Sequence, residues 1–339
     1  MLSTRLLVLL LALAIAVGAQ DAVAEAAKGT ALAREEKYDL AIQHYKAAIR
    51  LNPKLPGIHL NLGLAYFKSQ NLAEAASAFE QALKADPRNF QARTLLGMSY
   101  YGSAQYARAA TELKVASAEQ PENMELRYTL AQSYLWSDQY DNAIAEFKFL
   151  LTRDPNSAPV HVLLGQVLDA AGKSEEGVAE FEAAAKVAPE RPEVRFGLGY
   201  LYWKLKRYPD AAREFQAALV AEPRHAQALT YLGDTRIQLG EKKAAEEDLR
   251  KALKLVPETR LAHLDLGILL ASDEATFAEA GAHLREAIRL DPSNSDAHYR
   301  LGRLLKAIGK DAEAQAEFDA VKKLAAEETA PPSLLKLSK

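Results

Sequence analysis

Seven histidines are the side chains of this 339-residue sequence best suited to metal binding or to proton transfer near neutral pH. Four of them share one position in a repeating pattern: His59, His161, His263 and His298. Only His263 and His298 fall in neighbouring repeats. Adjacent packed helices lie about 8–10 Å apart, whereas each ligand of a zinc ion lies about 2 Å from the metal. No third ligand is evident, so we interpret these histidines as packing residues and predict no metal site.

Motifs for other catalytic chemistry are absent from the sequence. There is no cysteine, which excludes thiolate catalysis, disulfides, cysteine zinc sites and cysteine lipidation. No G-x-S-x-G, P-loop or H-E-x-x-H motif occurs, and the charge run EKKAAEED at 241–248 is typical of a solvated helix face. We therefore predict no catalytic residue and no cofactor, and we expect that the protein is not an enzyme.

A basic stripe near the C-terminus is the remaining candidate for ligand chemistry. Arg300, Arg303 and Lys306 recur every three residues beside Tyr299, so they would share one face of a helix. Such a stripe could bind a carboxylate or another anion. The alternative is a polar cap on the last repeat of the chain. Both interpretations stay open at this point.

The overall charge argues against a nucleic-acid partner. The formal net charge is −3, although 26% of the residues are charged. Binding to nucleic acid depends on neutralising phosphates with clustered lysine and arginine. With 49% hydrophobic residues, most of the chain is expected to fold.

The N-terminus has the features of an export signal. One arginine, Arg5, precedes an apolar run at 6–17, and small residues at 17–19 offer a cleavage site before Gln20. A second site lies at 22–24. The run is shorter than the roughly 20 residues that span a bilayer. We predict a cleaved signal peptide at 1–19, no lipoprotein anchor, and a periplasmic or extracellular protein with no stable membrane insertion.

Prolines define a repeat of 34 residues. Seven of them follow one another at that interval: Pro53, Pro87, Pro121, Pro155, Pro189, Pro223 and Pro257. Pro292 comes after an interval of 35, so one residue is inserted in the eighth repeat. A fixed period of this size indicates stacked supersecondary units.

Each unit has the pattern of two helices. In residues 56–89, Leu62, Gly63 and Tyr66 lie on one helix face, and Ala75 with Phe79 begins a second face. Proline then ends the second helix. Glycine inside a helix costs about 1 kcal/mol relative to alanine, so its recurrence at one position predicts a close approach of two helices. We expect the small residue twelve positions later to be its partner in that contact.

These residues resemble the tetratricopeptide repeat. Leu62-Gly63-x-x-Tyr66, Ala75-x-x-x-Phe79 and Pro87 match its L-G-x-x-Y, A-x-x-x-F and proline positions. The resemblance implies an all-α, right-handed α-solenoid (superhelix) of nine helix–turn–helix units, followed by a C-terminal tail at 329–339. The units are 22–55, 56–89, 90–123, 124–157, 158–191, 192–225, 226–259, 260–294 and 295–328.

The resemblance also implies a concave groove lined by the first helix of each unit. Its groove-facing positions carry a largely apolar and aromatic strip: Leu60, Leu64, Phe67, Met98, Tyr101, Tyr128, Gln132, Trp136, Phe196, Tyr200 and Trp203. Rigid aromatic side chains with a few amides suit an extended or helical peptide. The alternative is that neighbouring first helices pack on one another through the same side chains.

Two functions are compatible with such a groove. The favoured one is a non-catalytic scaffold in the cell envelope or outside it, which binds a partner protein or peptide. Assembly of a secretion, pilus or polysaccharide-export complex is a task that the resemblance allows. The alternative is a carrier of a glycan or small anionic ligand, which would use the aromatic and basic side chains. The sequence does not identify the partner or the oligomeric state.

Overall fold

The computed structural model describes the backbone of residues 4–329 and the side chains of residues 19–327, and all regular structure in that part of the chain is helical. The α-helices are α1 (Thr4–Arg34), α2 (Tyr38–Leu51), α3 (Ile58–Lys68), α4 (Leu72–Ala85), α5 (Phe90–Gly102), α6 (Tyr106–Glu119), α7 (Met124–Leu135), α8 (Tyr140–Arg153), α9 (Ala158–Ala170), α10 (Ser174–Val187), α11 (Pro192–Lys204), α12 (Tyr208–Ala221), α13 (Ala226–Gln238), α14 (Lys242–Leu255), α15 (Arg260–Leu270), α16 (Phe277–Leu290), α17 (Ser295–Ala307) and α18 (Asp311–Thr329).

The chain divides into two compact bodies between Pro155 and Asn156. We call them the N-terminal body, with α1–α8, and the C-terminal body, with α9–α18. In each body a helix packs mainly on the helices before and after it in the chain. The predicted all-α arrangement of stacked helix–turn–helix repeats is therefore confirmed.

The first helices begin close to the start of each sequence repeat. In repeats 3 to 9 they begin at the first residue of the unit, as at Phe90 and Ser295. In repeat 2 the helix begins two residues later, at Ile58, because Gly57 adopts a left-handed conformation with φ of 72°.

The recurrent glycine packs directly against a bulky side chain of the second helix. A β-carbon on Gly165 would lie 2.6 Å from Phe181 Cδ2, and one on Gly199 would lie 2.8 Å from Phe215 Cδ1. The small residue that we expected as the partner takes part in the same close approach: the carbonyl oxygen of Gly177 would be 3.2 Å from the Gly165 β-carbon, and a β-carbon on Gly177 would lie 2.9 Å from the carbonyl oxygen of Gly165. The bulky side chain sixteen residues after the glycine is a second partner, which the sequence analysis did not include.

Helix pairs are joined by a turn with one left-handed residue. At Ala104, with φ of 57°, the following Gln105 N–H donates to Tyr100 O at 2.8 Å. This is the Schellman arrangement that terminates many helices. The equivalent residue in other repeats is Glu36, Gln70, Asp138, Gly172, Lys206, Gly240 or Gly309. In repeat 8 the inserted residue replaces this turn with a short 3-10 helix, Glu274–Thr276.

The two ends of the chain lie partly outside the described residues. Helix α1 runs without a break from Thr4 to Arg34, and Ala22 is the first buried residue among its described side chains. The predicted signal peptide at 1–19 lies outside the described side chains except at residue 19, and the predicted tail at 329–339 lies outside the described residues except for Thr329, the last residue of α18. Within the described residues, no helix combines the length and the hydrophobicity that a membrane span needs.

Candidate functional site

In the N-terminal body, the predicted strip lies along α3, α5 and α7. Trp136, at the end of α7, is 54% exposed. The other members are half-buried: Leu60, Leu64, Phe67, Met98, Tyr101, Tyr128 and Gln132. Leu60 lines a cavity of about 330 Å³ beside Pro56 and Asn89. Leu64 lines a separate cavity of about 300 Å³ with Tyr38 and Tyr45. The strip is therefore partly accessible, and its two leucines line different cavities.

Two of these predicted residues, Tyr101 and Trp136, contact Tyr106, which the sequence analysis did not select, and a third, Gln132, contacts Tyr101. The Tyr101 hydroxyl donates to Gln132 Oε1 at 3.1 Å. The Tyr106 ring lies 5.7 Å from the Tyr101 ring and 6.4 Å from the Trp136 ring. Burial raises the pKa of the Tyr101 hydroxyl, so it stays a neutral donor. We call Tyr101, Tyr106, Gln132 and Trp136 the N-terminal cluster.

Tyr106 was missed because only first helices were searched. It is the first residue of α6, a second helix. A signal was present, because tyrosine recurs at the same position as Tyr38, Tyr140 and Tyr208. Tyr128 has a more structural role than predicted, since its ring contacts the fully buried Phe147 edge-on at 6.4 Å.

In the C-terminal body, the predicted aromatic residues of α11 meet Tyr231 of α13. Trp203 lies 4.9 Å from Tyr231 and 5.8 Å from Tyr200, measured between ring centroids. Phe196 lies 6.0 Å from Tyr231 and stacks on His225 at 4.8 Å. All three predicted residues are thus brought together. We call Phe196, Tyr200, Trp203 and Tyr231 the C-terminal cluster.

A polar contact links each cluster to the next repeat. The Trp203 indole N–H donates to the carboxylate of Asp234. Trp203 and Asp234 are 31 residues apart, as are Tyr101 and Gln132 in the other body. Tyr231 and Asp234 occupy the sixth and ninth positions of repeat 7, so a full survey of the groove-facing positions would have found them.

Asp265, at the sixth position of repeat 8, was also missed. It is only 5% exposed, and its Oδ2 atom has no hydrogen-bond partner in the described part of the chain. Burial raises the pKa of this carboxyl well above its ordinary value, and the charges of Asp234 and Asp296 raise it further. Arg260 opposes that shift without neutralising it. A buried carboxyl without a partner is unusual in a helical repeat and marks this position.

Two of the three predicted basic residues converge. Arg300 and Arg303 line a cavity of about 250 Å³ with Ile268 and Phe277. Arg300 Nε donates to Asp296 Oδ1 at 3.1 Å, and the Arg303 guanidinium lies 5.9 Å from the ring centroid of Tyr299. Lys306 is exposed and lies outside that cavity. The arginines are therefore partly occupied by neighbouring side chains.

The recurrent histidine position contacts a glutamate of the second helix in several repeats. His161 Nδ1 lies 2.7 Å from Glu180 Oε2, and His298 Nδ1 lies 2.6 Å from Glu317 Oε2. In repeats 3, 4 and 6 an arginine makes the same contact 19 residues ahead of a glutamate: Arg93–Glu112, Arg127–Glu146 and Arg195–Glu214. His59 instead lines a cavity of about 420 Å³ with Ala78, which stands in the glutamate position. The described residues contain no group of three or more side chains that could hold a metal ion.

Repeat 8 replaces this ion pair with two imidazoles. The inserted residue moves the partner position by one, so His263 Nδ1 lies 2.8 Å from His283 Nδ1. Burial lowers the pKa of His283, and the charges of His263 and Arg250 lower it further, while Glu279 acts in the opposite direction. The pair can share one proton between the facing nitrogens, but it cannot accept a second proton without repulsion.

Changing His283 to glutamate is expected to reduce acid sensitivity. Because its folded-state pKa is lowered, the unfolded chain binds more protons than the folded chain below about pH 6.5. This contribution to stability is therefore lost as the pH falls below that value. His283→Glu would restore the pairing of the other repeats. Thermal unfolding at pH 5.5 and 7.5 checks this prediction. The difference in unfolding midpoint between the two pH values should be smaller for the variant than for the wild type. An equal difference in both proteins would contradict it.

Family models match most of the chain. Models of the tetratricopeptide repeat match residues 56–89, 100–161, 162–226, 201–258, 232–276 and 271–335. A TPR repeat model matches residues 29–70. The chain belongs to the tetratricopeptide repeat family. The L-G-x-x-Y and A-x-x-x-F positions of its tetratricopeptide repeats are the ones that form the buried contact between Gly199 and Phe215.

Solved tetratricopeptide repeat structures resemble parts of this chain. The C-terminal part of a TPR repeat-containing protein from Cytophaga hutchinsonii is 19% identical, with 70% of this chain and 98% of that chain covered and a TM-score of 0.57. YrrB, described as a TPR protein with an unusual peptide-binding site, is 21% identical, with 52% and 91% covered and a TM-score of 0.44. MamA from Desulfovibrio magneticus RS-1 is 22% identical, with 51% and 97% covered and a TM-score of 0.46. No curated protein matches the chain.

Proposed function

We propose that this tetratricopeptide repeat protein is a non-catalytic scaffold that binds a peptide segment of a partner protein on its first-helix face. The observation that carries the proposal is that each body has an aromatic cluster paired with a side-chain amide or carboxylate, through Tyr101–Gln132 and Trp203–Asp234. Trp136 is 54% exposed, while Tyr200, Trp203 and Tyr231 are half-buried. Aromatic surface of this kind is seldom left exposed without a binding role.

The geometry favours a peptide over a small substrate. Within each cluster aromatic rings from successive repeats contact one another, and the rings are half-buried or exposed, so part of their surface is open to a partner. Rings held in this way provide contact area at little cost in side-chain entropy. Gln132 and Asp234 are positioned to contact the backbone amides of an extended segment.

A pull-down from the native host is expected to depend on these rings. The variant Tyr101→Ala, Tyr128→Ala, Trp203→Ala should lose most of the partners that the wild type retains, because it removes contact area in both bodies. A matched control carries Val115→Ala and Val220→Ala, which alter side chains that are 43% and 84% exposed on second helices. Identical sets of partners for all three proteins would count against the proposal.

The finer proposal places this scaffold in the cell envelope or outside the cell. It is supported by the apolar run at 6–17, the small residues before Gln20 and the absence of cysteine. N-terminal sequencing of the protein from its native host should then find a chain that begins at or just after Gln20. A chain that retains Met1 and fractionates with the cytoplasm would refute the location. The partners recovered in the pull-down would show whether a secretion, pilus or polysaccharide-export complex is involved.

The alternative of a glycan or anion carrier has weaker support. Trp203, which would have to stack on a glycan, is already hydrogen-bonded to Asp234 and packed against Tyr231. Arg300, which would have to bind an anion, is already paired with Asp296. Both groups would have to exchange existing contacts for ligand contacts, whereas a peptide can bind over the clusters as they stand.

A further inference from the structure

We propose that repeat 2 carries a second docking site, which binds a glutamate side chain of a partner protein. The site is a cavity of about 420 Å³ lined by residues of α2, α3 and α4, and we call it the repeat-2 cavity. Helix α3 contributes His59, Leu62 and Tyr66 to the lining, whereas the predicted strip uses other residues of the same helix. The cavity is therefore separate from the strip on which the proposed peptide segment binds.

The first argument is a glutamate that repeat 2 lacks. In repeat 5 the equivalent histidine, His161, contacts Glu180 at 2.7 Å, and four other repeats place a glutamate against a histidine or an arginine in the same way. In repeat 2 the glutamate position is Ala78, and both Ala78 and His59 line the cavity. The His59 imidazole forms no hydrogen bond or ion pair with another described residue. The cavity therefore lies where five other repeats hold a carboxylate.

The second argument is the hydroxyl group of Tyr66, which also lines the cavity. Two equivalent tyrosines donate their hydroxyl to a glutamate on the second helix of the preceding repeat: Tyr100 to Glu80 and Tyr202 to Glu182. The residue at that position for Tyr66 is Lys46, whose ammonium lies 5.4 Å from the centroid of the Tyr66 ring. In the described part of the chain the Tyr66 hydroxyl has no acceptor. A second carboxylate is thus missing, and its donor is left unused.

The third argument is an excess of positive charge around the cavity. Lys46 and Arg50 lie one turn apart on α2, and neither forms an ion pair with a described residue. Among the described residues that line the cavity, Glu74 is the one acid, and it too forms no ion pair. The equivalents of Lys46 and Glu74 one repeat later are joined in an ion pair at 2.7 Å. Two unpaired cations and an imidazole therefore face one carboxylate, which favours an anionic ligand.

A glutamate side chain fits the repeat-2 cavity better than a small free anion. A water molecule occupies about 30 Å³ in the liquid, so the cavity has room for a whole side chain. Ile49, Leu62 and Ala78 supply apolar surface for methylene groups. The other repeats show that the groups equivalent to His59 and Tyr66 bind glutamate carboxylates. A free carboxylate such as acetate would fill only part of the cavity and would forgo the apolar contacts.

The test begins with a selection on two full-length proteins. Capped twelve-residue peptides, with glutamate fixed at the sixth position and the others varied, are passed over the immobilised wild type and over Ala78→Glu. The glutamate introduced at position 78 should pair with His59 as in the other repeats and fill the cavity. We therefore expect a set of peptides that the wild type retains and Ala78→Glu does not, whereas peptides bound on the first-helix strip should be retained by both.

The best peptide of this set is then made with glutamate, glutamine or phosphoserine at the sixth position, and binding to the wild type is measured by fluorescence anisotropy. We expect the glutamine peptide to bind at least about 10-fold more weakly, as for loss of a hydrogen-bonded charge. The phosphoserine peptide should bind no more tightly than the glutamate peptide, and acetate or inorganic phosphate in large excess should not displace the glutamate peptide. Tighter binding of phosphoserine, or displacement by either small anion, would overturn the proposal.

Two further variants keep the test independent of Ala78→Glu. His59→Leu introduces the residue that repeat 7 has at the same position, and Lys46→Gln removes one cation. Each should weaken binding of the glutamate peptide by about 3- to 10-fold. The matched control is Lys84→Gln, which removes an exposed cation of α4 outside the cavity and should leave binding unchanged. Unfolding midpoints close to that of the wild type would show that the variants are folded.

The outcomes separate this site from the proposed function. The variant Tyr101→Ala, Tyr128→Ala, Trp203→Ala should bind the selected peptide as tightly as the wild type, because its changes lie outside the cavity. Loss of binding in that variant would place the peptide on the first-helix strip and overturn the second site alone. Equal binding of the glutamate and glutamine peptides, or a pool from which no peptide distinguishes the wild type from Ala78→Glu, would also overturn it. None of these results affects the pull-down that tests the scaffold function.

Discussion

Replacing Phe215 with alanine is expected to lower the free energy of unfolding by about 3–5 kcal/mol. The Phe215 ring is fully buried and occupies the space left open by Gly199. It also lies 5.9 Å from Phe196 and stacks on Tyr231 at 6.0 Å. Removing the ring would leave a cavity between the two helices of repeat 6 and withdraw support from the C-terminal cluster.

Chemical denaturation followed by far-UV circular dichroism and tryptophan fluorescence measures this effect. Trp203 reports locally because its ring contacts Tyr231, which contacts Phe215. The control is Val220→Ala on the same helix, where the side chain is 84% exposed. That change should stay within about 0.5 kcal/mol. A Phe215→Ala protein as stable as the control would show that the ring does not hold the repeat together.

Replacing Gly165 with leucine is expected to cost about 1–3 kcal/mol or more by overpacking. A β-carbon alone would lie 2.6 Å from Phe181 Cδ2 and 3.2 Å from the Gly177 carbonyl oxygen. The ring can move only by displacing other core side chains, and the carbonyl belongs to the backbone of the facing helix. Because each repeat contacts only its neighbours, the damage should be centred on repeat 5.

The neighbouring substitution Gln166→Leu is the matched control. It adds the same side chain one residue along α9, at an exposed position. Thermal unfolding should show a clear decrease in the midpoint for Gly165→Leu and little change for Gln166→Leu. Hydrogen exchange would show whether protection is lost first in α9 and α10. Equal midpoints for the two variants would mean that the helices can move apart without loss of stability.

The periodic part of the fold was predictable from the sequence. First helices begin at Phe90, Met124 and Ala158, which are the first residues of their sequence repeats. The spacing of the prolines and of the recurrent glycine reflects backbone geometry within a few residues, so the helix boundaries can be predicted from the local sequence. The bulky partner of the glycine could not be predicted in this way, because the ring of Phe181 reaches Gly165 from the other helix.

The candidate site was predictable only in part. Phe196, Tyr200 and Trp203 were selected because the resemblance to the tetratricopeptide repeat assigns their positions to the groove, and the structure brings them together. Tyr106 joins the N-terminal cluster from a second helix, which a search confined to first helices could not include. His283 faces His263 only because one inserted residue changes the register of repeat 8.

The sequence by itself determined the repeat length and the helical hairpins, since these depend on spacing along one chain segment, and its resemblance to the tetratricopeptide repeat indicated the helix face that carries the aromatic residues. The tertiary structure alone decided that Trp203 reaches Asp234 in the next repeat and that Asp265 Oδ2 is buried without a hydrogen-bond partner among the described residues. The physical reason is that desolvation and hydrogen bonding between repeats are set by all the groups surrounding an atom. Those groups come from neighbouring hairpins, and their positions are established only when the repeats are stacked.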